Sequence, residues 1–143
     1  MNAKLVRANM KKVTSVLLGA LLCVGTASAS ADKNQSYKLI TVSTYLNFYL
    51  LNLNACEDYH PQTRQAAYKA EATLYPYFEK LDKKVESMDI DPDDKAAIAK
   101  TVSSRRDKLN TQISDGEFTA EHCNTVIAIV NEGLDPVILK SID

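Results

Sequence analysis

Two cysteines and two histidines are the residues of this sequence whose types could form a chemical site. Cys56 precedes His60 by four positions, and His122 stands directly before Cys123. Two Cys and two His make a complete tetrahedral shell for zinc or copper, which predicts, as one alternative, a small metal or ligand carrier. Adjacent residues on a helix, however, point about 100° apart and rarely bind one ion. The same cysteines could instead form a disulfide, if the fold brings them together in an oxidising compartment.

An acidic run in the middle of the chain suggests a second kind of site. Asp89, Asp91 and Asp93 have the alternate spacing with which a calcium-binding loop begins. The rest departs from that loop, because Asp94 stands where glycine is needed and Lys100 replaces the bidentate glutamate. We therefore interpret the run as the capped start of a helix, with Asp91 as the N-cap, and predict no metal there.

No pattern typical of an enzyme is found in the sequence. It has no glycine-rich phosphate loop, no Cys-x-x-Cys for thiol redox exchange, and therefore no motif for covalent haem attachment. Ser103 and Ser104 have no histidine at helical spacing, so no nucleophile and base are paired. The sequence predicts a non-catalytic protein without a cofactor.

The seven tyrosines are concentrated in one part of the chain. All of them fall in the first two predicted helices. Tyrosine is favoured at protein interfaces because it brings a large contact area with a polar tip. We predict a weak partner-binding surface that comprises Tyr68, Tyr75, Tyr45 and Asn52. The alternative is that these residues only flank the core, to which Tyr49 and Tyr77 are assigned.

The elements that position these residues are four helices, predicted from the spacing of apolar side chains. The first has an unbroken stripe at steps of three and four: Leu39, Val42, Leu46, Tyr49, Leu53 and Cys56. The second begins near Pro61 and should be kinked by Pro76. The third begins at Pro92, ends at Asp115-Gly116 and should be the most solvated, because its apolar stripe is thin. Thr119 caps the fourth, whose predicted buried side is Cys123, Val126, Ile127, Val130 and Leu134.

Short loops between four helices favour an all-α, up-down-up-down four-helix bundle. In that topology the end of the first helix and the start of the fourth lie at the same end of the bundle. Cys56 and Cys123 occupy these two places, each on the apolar stripe of its helix. The sequence therefore predicts one disulfide that joins helix 1 and helix 4.

The first 31 residues have the pattern of a cleavable bacterial signal peptide, leaving one helical domain from 32 to 143. A basic start is followed by the apolar stretch from Val13 to Val24, which is too short to span a bilayer comfortably. Small residues then offer an Ala-x-Ala cleavage site after Ala29 or Ala31. A retained anchor and lipidation at Cys23 are the alternatives. Cleavage predicts a periplasmic or secreted protein with no membrane span.

The net charge of the mature chain limits the kinds of partner that it can bind. Residues 1–31 contain four of the 17 Lys and Arg and none of the 18 Asp and Glu, so the mature chain has a net charge of −5. A surface of this sign should repel nucleic acid and anionic lipid. We predict a non-catalytic binding or accessory protein whose partner is another protein, with the oligomeric state left open.

The order of landmarks resembles that of a known group of proteins. A leading helix that ends at Cys56, Pro61 shortly after it, and the late Cys123 resemble the arrangement in the small helical pilotins that accompany bacterial secretion channels. The resemblance covers the arrangement of the mature chain and includes no diagnostic motif. Pilotins are usually lipidated, and the bulky Leu22 before Cys23 departs from that pattern. The resemblance implies, as a further alternative, a secretion accessory protein.

Overall fold

The computed structural model describes residues 33–143, so the predicted signal peptide lies outside the described residues. This part of the chain is all-α and contains no β-strand. Its helices are α1 Lys33–Tyr59, α2 Arg64–Ala72, α3 Tyr75–Ser87, α4 Pro92–Ser114, α5 Ala120–Glu132 and α6 Pro136–Leu139, followed by a 3₁₀ turn at Lys140–Ile142. None of these helices is long and apolar enough to cross a membrane.

Helix α1 is the centre of the fold, and each of the other five helices packs against it. The predicted stripe is confirmed, since all six of its residues are buried. Three polar residues, Ser36, Ser43 and Asn52, are buried on the same helix. A helix that is covered on several sides needs apolar residues beyond one stripe, and the half-buried Phe48, Leu50 and Leu51 meet that need.

The predicted second helix is divided into α2 and α3, and Pro76 accounts for the division. Proline has no N–H to donate, and its ring clashes with the carbonyl four residues earlier. That residue is Ala72, where α2 ends, while Pro76 lies in the first turn of α3. Thr73 and Leu74 keep right-handed helical backbone angles, so the interruption is a kink.

The predicted third helix is α4, with the caps that the sequence indicated. The Asp91 side chain accepts a hydrogen bond from the Asp93 backbone N–H at 2.8 Å, and Pro92 is the first helical residue. Gly116, at φ +73°, turns the chain after the helix. Leu109 is the one buried residue of α4, which confirms the thin apolar stripe.

The predicted fourth helix is α5, capped by the Thr119 hydroxyl, which accepts a hydrogen bond from the His122 N–H at 3.2 Å. Its predicted buried residues, Leu134 just beyond its end included, are all buried. The C-terminal segment that follows α5 is also helical. It forms α6 and the 3₁₀ turn, buries Leu139 and Ile142, and ends in an ion pair of 2.7 Å between Lys80 and Asp143.

Candidate functional site

Cys56 and Cys123 form a disulfide that joins α1 to α5, the helix that corresponds to the predicted fourth. Their Cα atoms are 5.7 Å apart and both side chains are completely buried. The predicted pairing is therefore confirmed. Because the two cysteines lie 67 residues apart in the chain, the bond closes most of the domain into one loop.

The two histidines lie beside the disulfide, as expected, and pack against the buried Phe118. Their rings are 5.5 Å (His60) and 5.3 Å (His122) from the Phe118 ring. His60 Nε2 donates to the Phe118 carbonyl at 2.9 Å, and His122 Nε2 donates to Asn52 Oδ1 at 2.7 Å. The orientation of the amide is fixed because Asn52 Nδ2 donates to the Phe48 carbonyl at 2.8 Å. Both rings thus serve as donors to protein groups.

This end of the molecule offers few ligands for a metal. The bonded sulfurs have no thiolate to contribute, and each histidine uses Nε2 in a hydrogen bond. Within residues 33–143, no three His, Cys, Asp or Glu side chains are grouped so that they could hold a metal ion. Burial lowers the pKa of His122, which favours the neutral ring that donates to Asn52.

The predicted partner-binding residues separate into two surfaces. Tyr68 and Tyr75 lie on the kinked α2–α3 segment and are 64% and 50% exposed. Tyr45 and Asn52 lie on α1, where Asn52 is buried and the Tyr45 hydroxyl accepts a hydrogen bond from the Asp135 N–H at 2.9 Å. We call the first set, Tyr68 and Tyr75 with Glu71 between them, the tyrosine surface.

An unusual pair of carboxyl groups adjoins the tyrosine surface. The Tyr75 hydroxyl donates to Glu71, and Glu71 faces Glu57 of α1. Glu57 Oε1 is buried and has no hydrogen-bond partner within residues 33–143. Burial, followed by the adjacent Glu71 carboxyl and repulsion from Asp58, raises the pKa of Glu57 to about 7, although Arg64 opposes the shift. Glu57 therefore holds a proton over part of the neutral range.

Two adjoining depressions lie along α1, mainly where α4 packs against it. The first, which we call the polar cleft, has a volume of about 240 Å³ and is lined by Phe48, Asn52, Arg105, Lys108, Gln112 and His122, with Leu51 and Leu109. The second, the aromatic groove, has a volume of about 530 Å³, and its lining includes Tyr37, Ile40, Tyr45, Phe48, Tyr49 and Arg105. Phe48 and Arg105 belong to both, and the Arg105 guanidinium lies 5.6 Å from the centre of the Phe48 ring.

Sequence reasoning did not single out Arg105 and Lys108, which lie on the helix that was expected to be the most solvated. A signal was present. Positions 33 to 56 contain no acidic residue, so cations on a helix that packs there have no partner on the opposing wall. The signal is weak because it depends on which helices pack together.

Comparison with known proteins found no match, either to a family model, to a curated protein or to a solved structure. Function must therefore be inferred from the surfaces described above.

Proposed function

We propose that this chain is an exported bacterial protein, periplasmic or secreted, that has no catalytic activity and works by binding another protein. The observation that carries the proposal is the exposure of Tyr68 and Tyr75 on one side of the kinked α2–α3 segment. Exposed aromatic side chains of this size are favoured at protein contacts, where they supply area and a hydroxyl group with little loss of rotamer freedom.

The tyrosine surface is ordered before any partner arrives. Tyr68, Glu71 and Tyr75 follow at steps of three and four, so they lie along one face of the helical segment. The hydrogen bond from Tyr75 to Glu71 restricts both side chains. A surface that is already ordered loses less conformational entropy on binding. Its aromatic and acidic composition fits a partner with exposed arginine or lysine, which can stack on a tyrosine ring and pair with Glu71.

A capture experiment tests this surface. The mature chain would be used as bait in a periplasmic extract, together with a variant that carries both Tyr68→Ser and Tyr75→Ser. We expect the double variant to lose the captured protein while its thermal unfolding changes little, because both side chains are exposed. Tyr59→Ser is the matched control, since Tyr59 is 56% exposed but lies on α1, outside the tyrosine surface and the two depressions. Unchanged capture by the double variant would exclude the tyrosine surface.

Export is supported by the disulfide, because such bonds persist in oxidising compartments. The intact mass of the protein recovered from the periplasm or medium tests whether the chain is exported and cleaved. We expect a chain that begins at Asp32 or Ser30, with Cys56 and Cys123 oxidised, and a full-length chain in the cytoplasm would contradict it. The up-down-up-down four-helix course and a pilotin-like role in secretion stay predictions of the sequence.

A further inference from the structure

The space between α1 and α4 arises from the side chains that α4 presents. Around the two depressions α4 presents Thr101, Arg105, Lys108 and Gln112 to α1, and Leu109 is the one buried residue of the helix. Threonine is too small to fill the gap, and cationic heads remain in water while their stems cover the apolar wall. The polar cleft and the aromatic groove are the result. They run along α1 from Tyr37 to Asn52, a length of about 22 Å at the helical rise.

The charge of this space is opposite to that of the mature chain. Arg105 and Lys108 line the polar cleft, and Lys100 lies beside them on the same face of α4. No acidic residue lines the polar cleft or the aromatic groove, and neither Arg105 nor Lys108 forms an ion pair within residues 33–143. Low-dielectric walls strengthen the local field of unpaired charges. The cleft therefore attracts an anion even though the protein as a whole is acidic.

We propose that the polar cleft and the aromatic groove together form a binding site for a single anionic amphiphile, with its carboxylate-like head in the cleft and its apolar tail in the groove. The site is separate from the tyrosine surface and does not depend on the proposed protein partner.

The polar cleft has the groups that recognise the head. Arg105 is held over the Phe48 ring, which presents the planar guanidinium for a bidentate contact with a carboxylate. Lys108 lies one turn further along α4 and adds a second positive charge. His122 and Asn52 form the far wall, where their mutual hydrogen bond keeps both groups fixed. Since burial lowers the pKa of His122, Arg105 and Lys108 supply the charge at neutral pH.

The aromatic groove has the surface that the tail needs. Ile40, Phe48 and Ile138 provide apolar contacts, while Tyr45 and Tyr49 stand edge to face with ring centres 5.1 Å apart. The volume of about 530 Å³ lies within the range of about 300–1,000 Å³ that is typical of small-molecule sites. Because Phe48 and Arg105 border both spaces, one molecule can place its head and its tail on either side of them.

Titration calorimetry of the mature chain with dodecanoate, kept below its micelle concentration, tests the proposal. We expect saturable binding near one molecule per chain, weaker binding of butyrate and no comparable binding of dodecyltrimethylammonium, which has the same tail and the opposite charge. Equal binding of the cationic amphiphile, or no binding of dodecanoate, would overturn the proposal. Vesicles of anionic phospholipid form a separate arm. If the protein binds vesicles but not the monomeric amphiphile, the site recognises a membrane surface and the proposal is wrong.

Matched variants of α4 test whether dodecanoate binds in the polar cleft. Arg105→Gln and Lys108→Gln should each weaken dodecanoate binding about tenfold, the effect of losing one charged hydrogen-bond donor. Arg106→Gln removes the same charge from the next position of α4, which lines neither space, and should leave affinity within about twofold. Thermal unfolding of all three should match wild type, because these side chains are exposed. Equal losses with Arg105→Gln and Arg106→Gln would show general charge attraction and would contradict the site.

Discussion

Helices α4 and α5 pack against the same central helix, yet they are attached to it very differently. α5 has 13 residues, four of them buried, and a covalent bond to α1 through Cys123. α4 has 23 residues and one buried residue, Leu109. A long helix is thus held less firmly than a short one, because attachment follows the number of apolar side chains at the contact and is independent of helix length.

This difference gives the two sides of α1 different roles in the molecule. The side of α1 that faces α5 is filled by closely packed apolar residues and the disulfide, although His122 at the start of α5 borders the polar cleft. The side that faces α4 is incompletely filled, and both depressions lie there. Elements with few buried contacts open most readily, and binding sites are often drawn from them. The firmly packed side therefore acts as a scaffold for the loosely packed one.

Removal of the disulfide should have the largest effect on the firmly packed side. For a loop of 67 residues the chain-entropy relation gives about 4 kcal/mol of stabilisation. We expect the double variant Cys56→Ala, Cys123→Ala to lose about that much free energy of unfolding in urea titrations. Wild-type protein under reducing conditions is the companion measurement. A loss below about 1 kcal/mol would mean that apolar packing alone holds α5 against α1.

Substitution of one isoleucine on each helix compares the packing of α5 and α4 directly. Ile127 is buried on α5, whereas Ile98 on α4 is only partly buried. Ile127→Ala should cost about 2–4 kcal/mol, because it removes methyl groups from a filled region and leaves a cavity. Ile98→Ala removes the same atoms but should cost about 1 kcal/mol, since its site is already open to water. Equal losses in chemical denaturation would remove the distinction between the two helices.

The sequence predicted the firmly packed side well and the loosely packed side poorly. The α1 stripe and the pairing of Cys56 with Cys123 follow from regular spacing, a property of each helix taken alone. The polar cleft could not be predicted in this way, because it depends on what α4 fails to place opposite α1. For the same reason Tyr45 and Asn52 were grouped with Tyr68 and Tyr75, although they belong to another face of the molecule.

The Glu57 carboxyl lies where α1 meets α2, and it should make the stability of the protein depend on pH. Its pKa is raised from 4.5 to about 7, so the folded state holds the proton more tightly than the unfolded state does. The contribution to stability is complete below about pH 4.5 and is lost as pH rises through about 7. The melting temperature should therefore fall as pH rises through this window.

Variants at two glutamates identify the group responsible for that pH dependence. Glu57→Gln resembles the protonated form, so its melting temperature should exceed that of wild type near pH 8 and should depend less on pH. The groups that face Glu57, which are Glu71, Asp58 and Arg64, are unchanged in this variant. Glu79→Gln, at an exposed position of α3, should follow the wild-type profile. If both variants follow it, Glu57 contributes nothing to the pH dependence.

The smallest effect concerns the two helix caps. Thr119→Ala removes the cap of α5 and should lower global stability by about 1 kcal/mol, because α5 cannot unwind without opening the core. Asp91→Ala removes the equivalent cap of α4, whose residues from 92 to 108 include no fully buried side chain. Its first turns can fray independently, so we expect faster amide hydrogen exchange there and a smaller change in global unfolding. Asp91→Asn keeps a capping oxygen and should restore slow exchange. If Asp91→Ala instead lowers global stability as much as Thr119→Ala and leaves exchange uniform, α4 unfolds together with the core, and the contrast between the two helices does not extend to their dynamics.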